Sequence, residues 1–188
     1  MSGIVQIGGV ALASHDSGTD KVSLDSGTVF PAEHVIGFKY GEISAMDTYS
    51  IGTTDTFIDI SLCTCNIDPA ISGSRIFVTF QATIGQSEHA VQGARIKRVV
   101  SGASDVFSPS QTEGSTLNAG WINYAGDDTA NSMIPITIWW VDTAISTATH
   151  TYTVQYKINA TGTAGFNQRT ADTTYRGMTF WNIMEIKV

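Results

Sequence analysis

The chain has 188 residues, of which 42% are hydrophobic and 14% charged, and its formal net charge is −7. That length holds one ordinary domain, or one domain plus a short arm, and the apolar fraction is enough to bury a real core. Residues 1–74 carry nine acids against Lys21 and Lys39, while residues 75–188 balance eight acids with eight bases; no basic stripe is present to neutralise phosphate, which argues against nucleic-acid and anionic-membrane partners.

Residues 1–40 read as short extended pieces at 4–7, 10–13, 21–24, 28–30 and 34–40. Asp16-Ser17-Gly18, Asp25-Ser26-Gly27 and Pro31 separate them with turn chemistry. Pieces this short bury little area alone, so residues 1–40 are expected to form an extended N-terminal arm for docking and trimerisation, ordered against partner subunits. Ala11-Leu12-Ala13 looks like a leader cleavage site. The first basic residue is Lys21, however, and Gln6 with Gly8-Gly9 breaks the apolar run, so secretion by that route is not expected. No segment approaches the roughly 18 apolar residues of a membrane span.

Residues 41–188 are expected to form the body. From Thr56 onward the alternation becomes clean, as it does in half-buried strands. Ile58, Ile60 and Leu62 share a face; Ile76, Val78, Phe80, Ala82 and Ile84 share another, with Phe77, Thr79, Gln81 and Thr83 opposite. Cys63 and Cys65 face the same way across Thr64, too close for an unstrained disulfide and without further metal ligands, so both read as buried free thiols. Next come Ile96, Arg98 and Val100 against Arg95, Lys97 and Val99, then a strand within 117–124, then Ile134, Ile136, Ile138 and Trp140. Tyr152, Val154, Tyr156 and Ile158 form the most regular strand, and residues 162–165 a tight loop. The polar stretch 101–120 is the obvious exposed loop. No long window shows three-and-four spacing, so almost no helix is expected. The architecture that fits is all-β, an antiparallel sandwich or jelly roll.

The terminal strand is apolar on both sides. Met178, Phe180, Met184, Ile186 and Val188 fall on one face, Trp181 and Ile183 on the other. One face can fill the core; with no helix to lie over the second, another copy of the chain is the expected cover.

Raw material for catalysis is sparse. There is no G-x-S-x-G elbow, H-E-x-x-H, P-loop, dinucleotide fingerprint or calcium-loop spacing. His15, His34, His89 and His150 are scattered and read as surface or capping residues, and Asp127-Asp128 as a solvated turn. Asn159-Ala160-Thr161 matches the glycosylation pattern, which matters only in a secretory context. No catalytic residue, cofactor or metal is therefore expected. Of the four tryptophans, adjacent Trp139 and Trp140 point to opposite faces, and the set is read as filling the core and a subunit contact. An exposed ring could instead stack on a sugar, which directs attention to Trp121, Asn123 and Tyr124 as a ligand surface.

The series Phe57-Ile58-Asp59-Ile60-Ser61-Leu62, Ser74-Arg75-Ile76-Phe77-Val78, Arg95-Ile96-Lys97-Arg98, Trp140-Val141-Asp142-Thr143, His150-Thr151-Tyr152-Thr153-Val154-Gln155, Phe166-Asn167-Gln168-Arg169 and Asn182-Ile183-Met184-Glu185-Ile186 resembles the C-terminal domain of tail-fibre-like and head-decoration structural proteins of tailed bacteriophages of cyanobacteria and other aquatic bacteria. Thr28-Val29-Phe30-Pro31-Ala32-Glu33-His34-Val35 resembles the arm of such proteins. The resemblance implies a homotrimeric, tumour-necrosis-factor-like jelly roll on the virion surface, non-enzymatic and assembled in the host cytoplasm. Its partners would be capsid or tail proteins and, if the domain is a tail-fibre knob, a host-surface glycan. On this reading Trp181, Ile183 and Trp139 form the trimer interface, and Val29, Phe30, Pro31 and His34 dock the arm. Asn167 and Arg169 are expected to fix backbone groups of the adjoining loop.

Overall fold

The computed structural model describes residues 33–52, 56–87, 91–108, 119–124, 132–143 and 145–188, together with the backbone of five short strands outside them. Three of those strands, β1 (Ile4–Ile7), β2 (Val10–Asp16) and β3 (Lys21–Leu24), form an antiparallel sheet of their own in the order β1-β2-β3. The piece expected at 28–30 lies outside the described residues.

The body follows as β4 (Val35–Ile43), β5 (Asp47–Ile51), β6 (Ile58–Ile67), β7 (Arg75–Gln86), β8 (Val91–Val100) and β9 (Val106–Ser108). A two-stranded ribbon of β10 (Thr112–Glu113) and β11 (Thr116–Leu117) comes next. The chain then runs through β12 (Trp121–Tyr124), β13 (Met133–Asp142), β14 (His150–Ile158), β15 (Gly162–Phe166) and β16 (Thr179–Ile186). One sheet has the order β4-β16-β7-β15-β5, with β13 on the other edge of β7; the other has β12-β8-β14-β6, with β9 also on β8. All pairings are antiparallel, and the described residues contain no helix. The molecule is an all-β sandwich.

Period two explains the core. The inward set of β7 (Ile76, Val78, Phe80, Ala82, Ile84) meets Tyr152, Val154, Tyr156 and Ile158 of β14 and Ile96 of β8, all nearly or wholly inaccessible to water. Each such side chain contributes about 1.5–3 kcal/mol by leaving water.

Three expectations are corrected here. Residues 162–165 are not a tight loop: they belong to β15, which pairs with both β5 and β7. Leu62 does not share the face of Ile60, because the β14–β6 register jumps between Gln155↔Asp59 and Thr153↔Thr64. Past the irregularity Cys63, Cys65 and Ile67 take the inward positions. Tyr49 of β5 braces the jump, its hydroxyl accepting from the Leu62 N–H at 3.3 Å. Lastly, Val35–Ile43 is not free arm: it pairs with β16 from Val35↔Ile186 to Ile43↔Thr179. Gly41 makes this possible, since a Cβ there would lie 2.5 Å from the Trp181 ring, which rests on the β4 backbone.

Candidate functional site

The outer face of the larger sheet can be read row by row from the strand registers. Phe38, Met184, Phe77 and Val141 stand side by side on β4, β16, β7 and β13. Tyr40, Asn182, Thr79 and Trp139 form the next row, then Glu42, Phe180, Gln81 and Thr137. On the far side of the first row, Val35 and Ile186 adjoin Arg75. One complete row is therefore apolar across four strands, and aromatic rings flank it on both outer strands. Phe38 and Tyr40 stack at 6.2 Å between centroids, and Phe77 and Trp139 meet at a tilt with centroids 6.1 Å apart.

These rings remain in water. Phe38 is 58% exposed, Tyr40 71%, Trp139 63% and Phe180 44%, together more than two whole aromatic side chains. At about 150–250 Å² per aromatic side chain this is roughly 350–600 Å² from four residues, the upper end of what a monomer ordinarily leaves uncovered.

The opposite outer face, on the smaller sheet, is covered by the chain itself over β8 and β14, while Ile122 on the edge strand β12 stays 65% exposed. The Arg95 guanidinium lies between the rings of Phe57 and Phe107, at 4.0 and 4.1 Å from their centroids. Its Nε donates to Gln155, which donates in turn to Asp59, and Lys97 pairs with the same carboxylate. Thr153, Gln155 and Lys157 point outward yet are buried.

Buried polar groups hold the frame of the apolar face. Asp142, at the end of β13, accepts two hydrogen bonds from Arg98 Nη1 at 2.7 Å and one from the Tyr152 hydroxyl at 2.9 Å, tying the two sheets together. Glu185 of β16 is buried and accepts from the N–H groups of Ala70 and Ile71 and from the Ser74 hydroxyl, at 2.8–3.0 Å. Asn167, with φ at +56°, donates from Nδ2 to the carbonyls of Ile43 and Ala45 and accepts from Thr179. It thereby fixes the turn after β4, whereas Arg169 pairs with Asp172 and lies over the Tyr175 ring within its own loop. Burial pushes the thiol of Cys65 up from 9.0 to about 12 and that of Cys63 well above its ordinary value; Cys65 adds to the latter shift. Both thiols are free. Burial likewise raises the phenols of Tyr152 and Tyr156, the former also through Asp142.

The sequence-predicted residues fall out differently from expectation. Ile183 is fully buried and Trp181 is packed on the core, so the face they share points inward and the Phe180-Met184-Ile186 face points out. Of the three residues assigned to the subunit contact, Trp139 alone stands on the outer face. His34 is exposed at the start of β4, its carbonyl accepting from the Lys187 N–H, while Val29, Phe30 and Pro31 lie outside the described residues. Trp121 packs toward the core from β12; Asn123 is half-buried, and the Tyr124 side chain is outside the description. His150 is buried, not at the surface, with Nδ1 donating to the Ala148 carbonyl at 2.7 Å. Asn159 accepts from the Val91 N–H through Oδ1.

A cleft of about 510 Å³ lies beside β13, lined by Ser108, Ala119, Gly120 and residues 137–141. None of these carries an ionisable side chain. Among the described residues, no group of three or more His, Cys, Asp or Glu side chains is placed to hold a metal ion, and no helix is long and apolar enough to cross a membrane.

No protein-family model and no curated protein matches the chain. Among solved structures it is similar to the Gx strain of infectious bursal disease virus, with 16% identity and a TM-score of 0.39 over 89% of this chain and 42% of that one. It is also similar to T=1 particles derived from that virus (13%, TM-score 0.41, 89% and 40%) and to its VP2 subviral particle (12%, TM-score 0.40, 89% and 42%). The chain spans about two fifths of the length of these neighbours, and superpositions this loose carry no argument about role.

Proposed function

We propose that the chain is a non-enzymatic structural subunit of a bacteriophage virion: a homotrimeric capsid decoration protein of the cement or head-fibre kind, attached through its N-terminal arm. The observation that carries this reading is the apolar row Phe38, Met184, Phe77 and Val141 with Tyr40, Trp139 and Phe180 around it, uncovered on a sheet whose partner sheet covers the outer side of its central strands. A face of that size is hidden from water most simply by other copies of the same chain, and closed symmetry is the usual way to do so. The resemblance of the segment series to phage structural proteins supplies the particle and the trimer. On this reading the interface residues are Trp139, Phe38, Tyr40 and Phe180, and the docking residues remain Val29, Phe30, Pro31 and His34.

The mass of the purified full-length chain, measured by light scattering at micromolar concentration, tests the assembly; a trimer is expected and a stable monomer overturns it. Attachment is tested by Phe30→Asp in the full-length chain, which leaves β1 and the pairing of β4 in place. The variant should still assemble but fail to bind particles. Electron microscopy of intact particles separates the capsid position from its alternative, a short tail-fibre knob that reads a host-surface polysaccharide.

A further inference from the structure

The free edge of β13 rests on a different observation from the apolar face. β13 pairs with β7 from Met133↔Gly85 to Asp142↔Ile76, and among the described strands nothing pairs with its other side. The cleft beside it is walled by residues 137–141, five in succession. Successive side chains of a strand alternate between faces, so a surface reached by all five is the backbone edge of the strand. Pro135, opposite Thr83, indicates which main-chain groups are turned outward. A proline is tolerated in a sheet where its missing N–H would have pointed away from the neighbouring strand. Residues of the same parity, Thr137, Trp139 and Val141, therefore turn their N–H and C=O groups toward the cleft. Across it lie Ser108, where β9 ends, and Ala119 and Gly120, just before β12. The slot thus opens between the edges of the two sheets and has the form of a site for one more extended strand.

The chain contains a strand of suitable length and character. β1 (Ile4–Ile7) is an edge of the arm sheet, which pairs with neither sheet of the body, and Ile4, Val5 and Ile7 suit the apolar lining of Ile138, Trp139, Trp140 and Val141. The arm joins the body at Glu33, whose N–H donates to the Lys187 carbonyl at 2.6 Å, immediately before β4. β4 and β13 lie at opposite ends of the run β4-β16-β7-β13, about 14 Å apart at roughly 4.8 Å per strand. The point where the arm joins the body and the acceptor edge therefore lie at opposite edges of one sheet. Joining them between copies is a head-to-tail contact, which closes into a ring when the rotation allows.

We propose that β1 of one copy adds to the free edge of β13 in the next copy, filling the cleft as a seventh strand of the larger sheet. This rests on the reading of the chain as a self-assembling subunit and names the contact that links its copies. It also explains why the edge beyond Pro135, from Ile136 to Val141, is left without a charged side chain or a second proline to blunt it.

The test uses full-length chains throughout. Gln6→Cys protein of natural isotope content is mixed with isotope-labelled Thr137→Cys protein, assembled and oxidised; Cys63 and Cys65 are buried and stay unreactive. A disulfide joining position 6 of one copy to position 137 of another, found by mass spectrometry, is the expected result. Oligomers without that link, or a link formed within one copy of a chain carrying both substitutions but never between copies, overturn the strand placement and leave self-assembly standing. Monomers at every concentration overturn both. As an independent measurement, Thr137→Pro keeps the bonds to β7 but removes an outward N–H and should weaken association at least tenfold with far-ultraviolet circular dichroism unchanged. Unaltered association of this folded variant overturns the proposal.

Discussion

Trp139→Ser tests the central physical claim with the least disturbance to the monomer. Trp139 is 63% exposed and touches Phe77 on the outer face, so its removal opens no core cavity. If copies of the chain cover that face, the exposed part of the ring, about 95–160 Å² of an aromatic side chain of 150–250 Å², leaves water on assembly. At about 25 cal/mol per Å² its loss costs about 3 kcal/mol for each subunit, about 9 kcal/mol for a trimer; because the midpoint of a trimer varies as the square root of its dissociation constant, subunits should separate at a concentration roughly a thousandfold higher. Sedimentation velocity over a dilution series reads this directly. Tyr175→Ser is the control, because Tyr175 is 60% exposed but stands on the loop of Arg169, away from the apolar rows. Trp139→Ser should shift the dissociation midpoint upward by about three decades with its melting little changed, and Tyr175→Ser should leave the midpoint in place. Equal behaviour of the two variants would refute the assignment of the outer face.

Further outcomes follow from the frame. Asp142→Asn leaves Arg98 buried beside a neutral amide and should lower unfolding free energy by about 3–5 kcal/mol in urea titration. Gly41→Ala drives a methyl into the Trp181 ring and should cost about 1–3 kcal/mol, measured the same way, unless β4 separates from β16. Alkaline pH should destabilise the fold. The thiol of Cys65 and the phenols of Tyr152 and Tyr156 are held protonated above their ordinary values, so their stabilisation is fully present below pH 9 and is lost as pH rises, for Cys65 between 9.0 and about 12. Cys65 alone should remove about 3 kcal/mol by pH 11, and an unfolding midpoint that does not fall between pH 8 and 11 contradicts the burial of these groups.

What was legible in the sequence was whatever period two determines. The faces of β7, β13 and β14 can be read directly, because each strand carries an unbroken run of apolar residues at every second position and that face is the one that enters the core. Leu62 was misplaced because the irregularity between Ile60 and Cys63 is a property of the β14 pairing, and nothing local to Ser61 or Leu62 marks it. Phe38 and Tyr40 fall in a short extended piece that shortness alone assigns to the arm; what docks it on the body, the room at Gly37 and Gly41 for the Glu185 and Trp181 side chains of β16, is not visible in the sequence. The terminal strand was correctly seen as apolar on both faces, but which face points inward is not decided by apolarity. Trp181 and Ile183 go in because the same face carries Thr179 and Glu185, and each of those has a buried partner waiting: Asn167 for the hydroxyl, the 70–74 turn for the carboxylate.

That last point links the frame to the exposed face. A carboxylate can be buried only where donors already converge, and Glu185 meets two backbone N–H groups and a hydroxyl. Reversing β16 would strip that carboxylate of its donors and leave the 70–74 turn with unmet N–H groups. The outward position of Phe180, Met184 and Ile186 is therefore enforced from inside the fold. The smaller sheet shows what this chain does when an outer face is meant to remain in the monomer: Phe57 and Phe107 fold across it and an ion-paired, hydrogen-bonded row lies beneath. On the larger sheet no such cover appears among the described residues. An apolar row locked outward by polar anchors, at the cost of a wetted aromatic surface, is consistent with a fold whose last layer is contributed by another molecule.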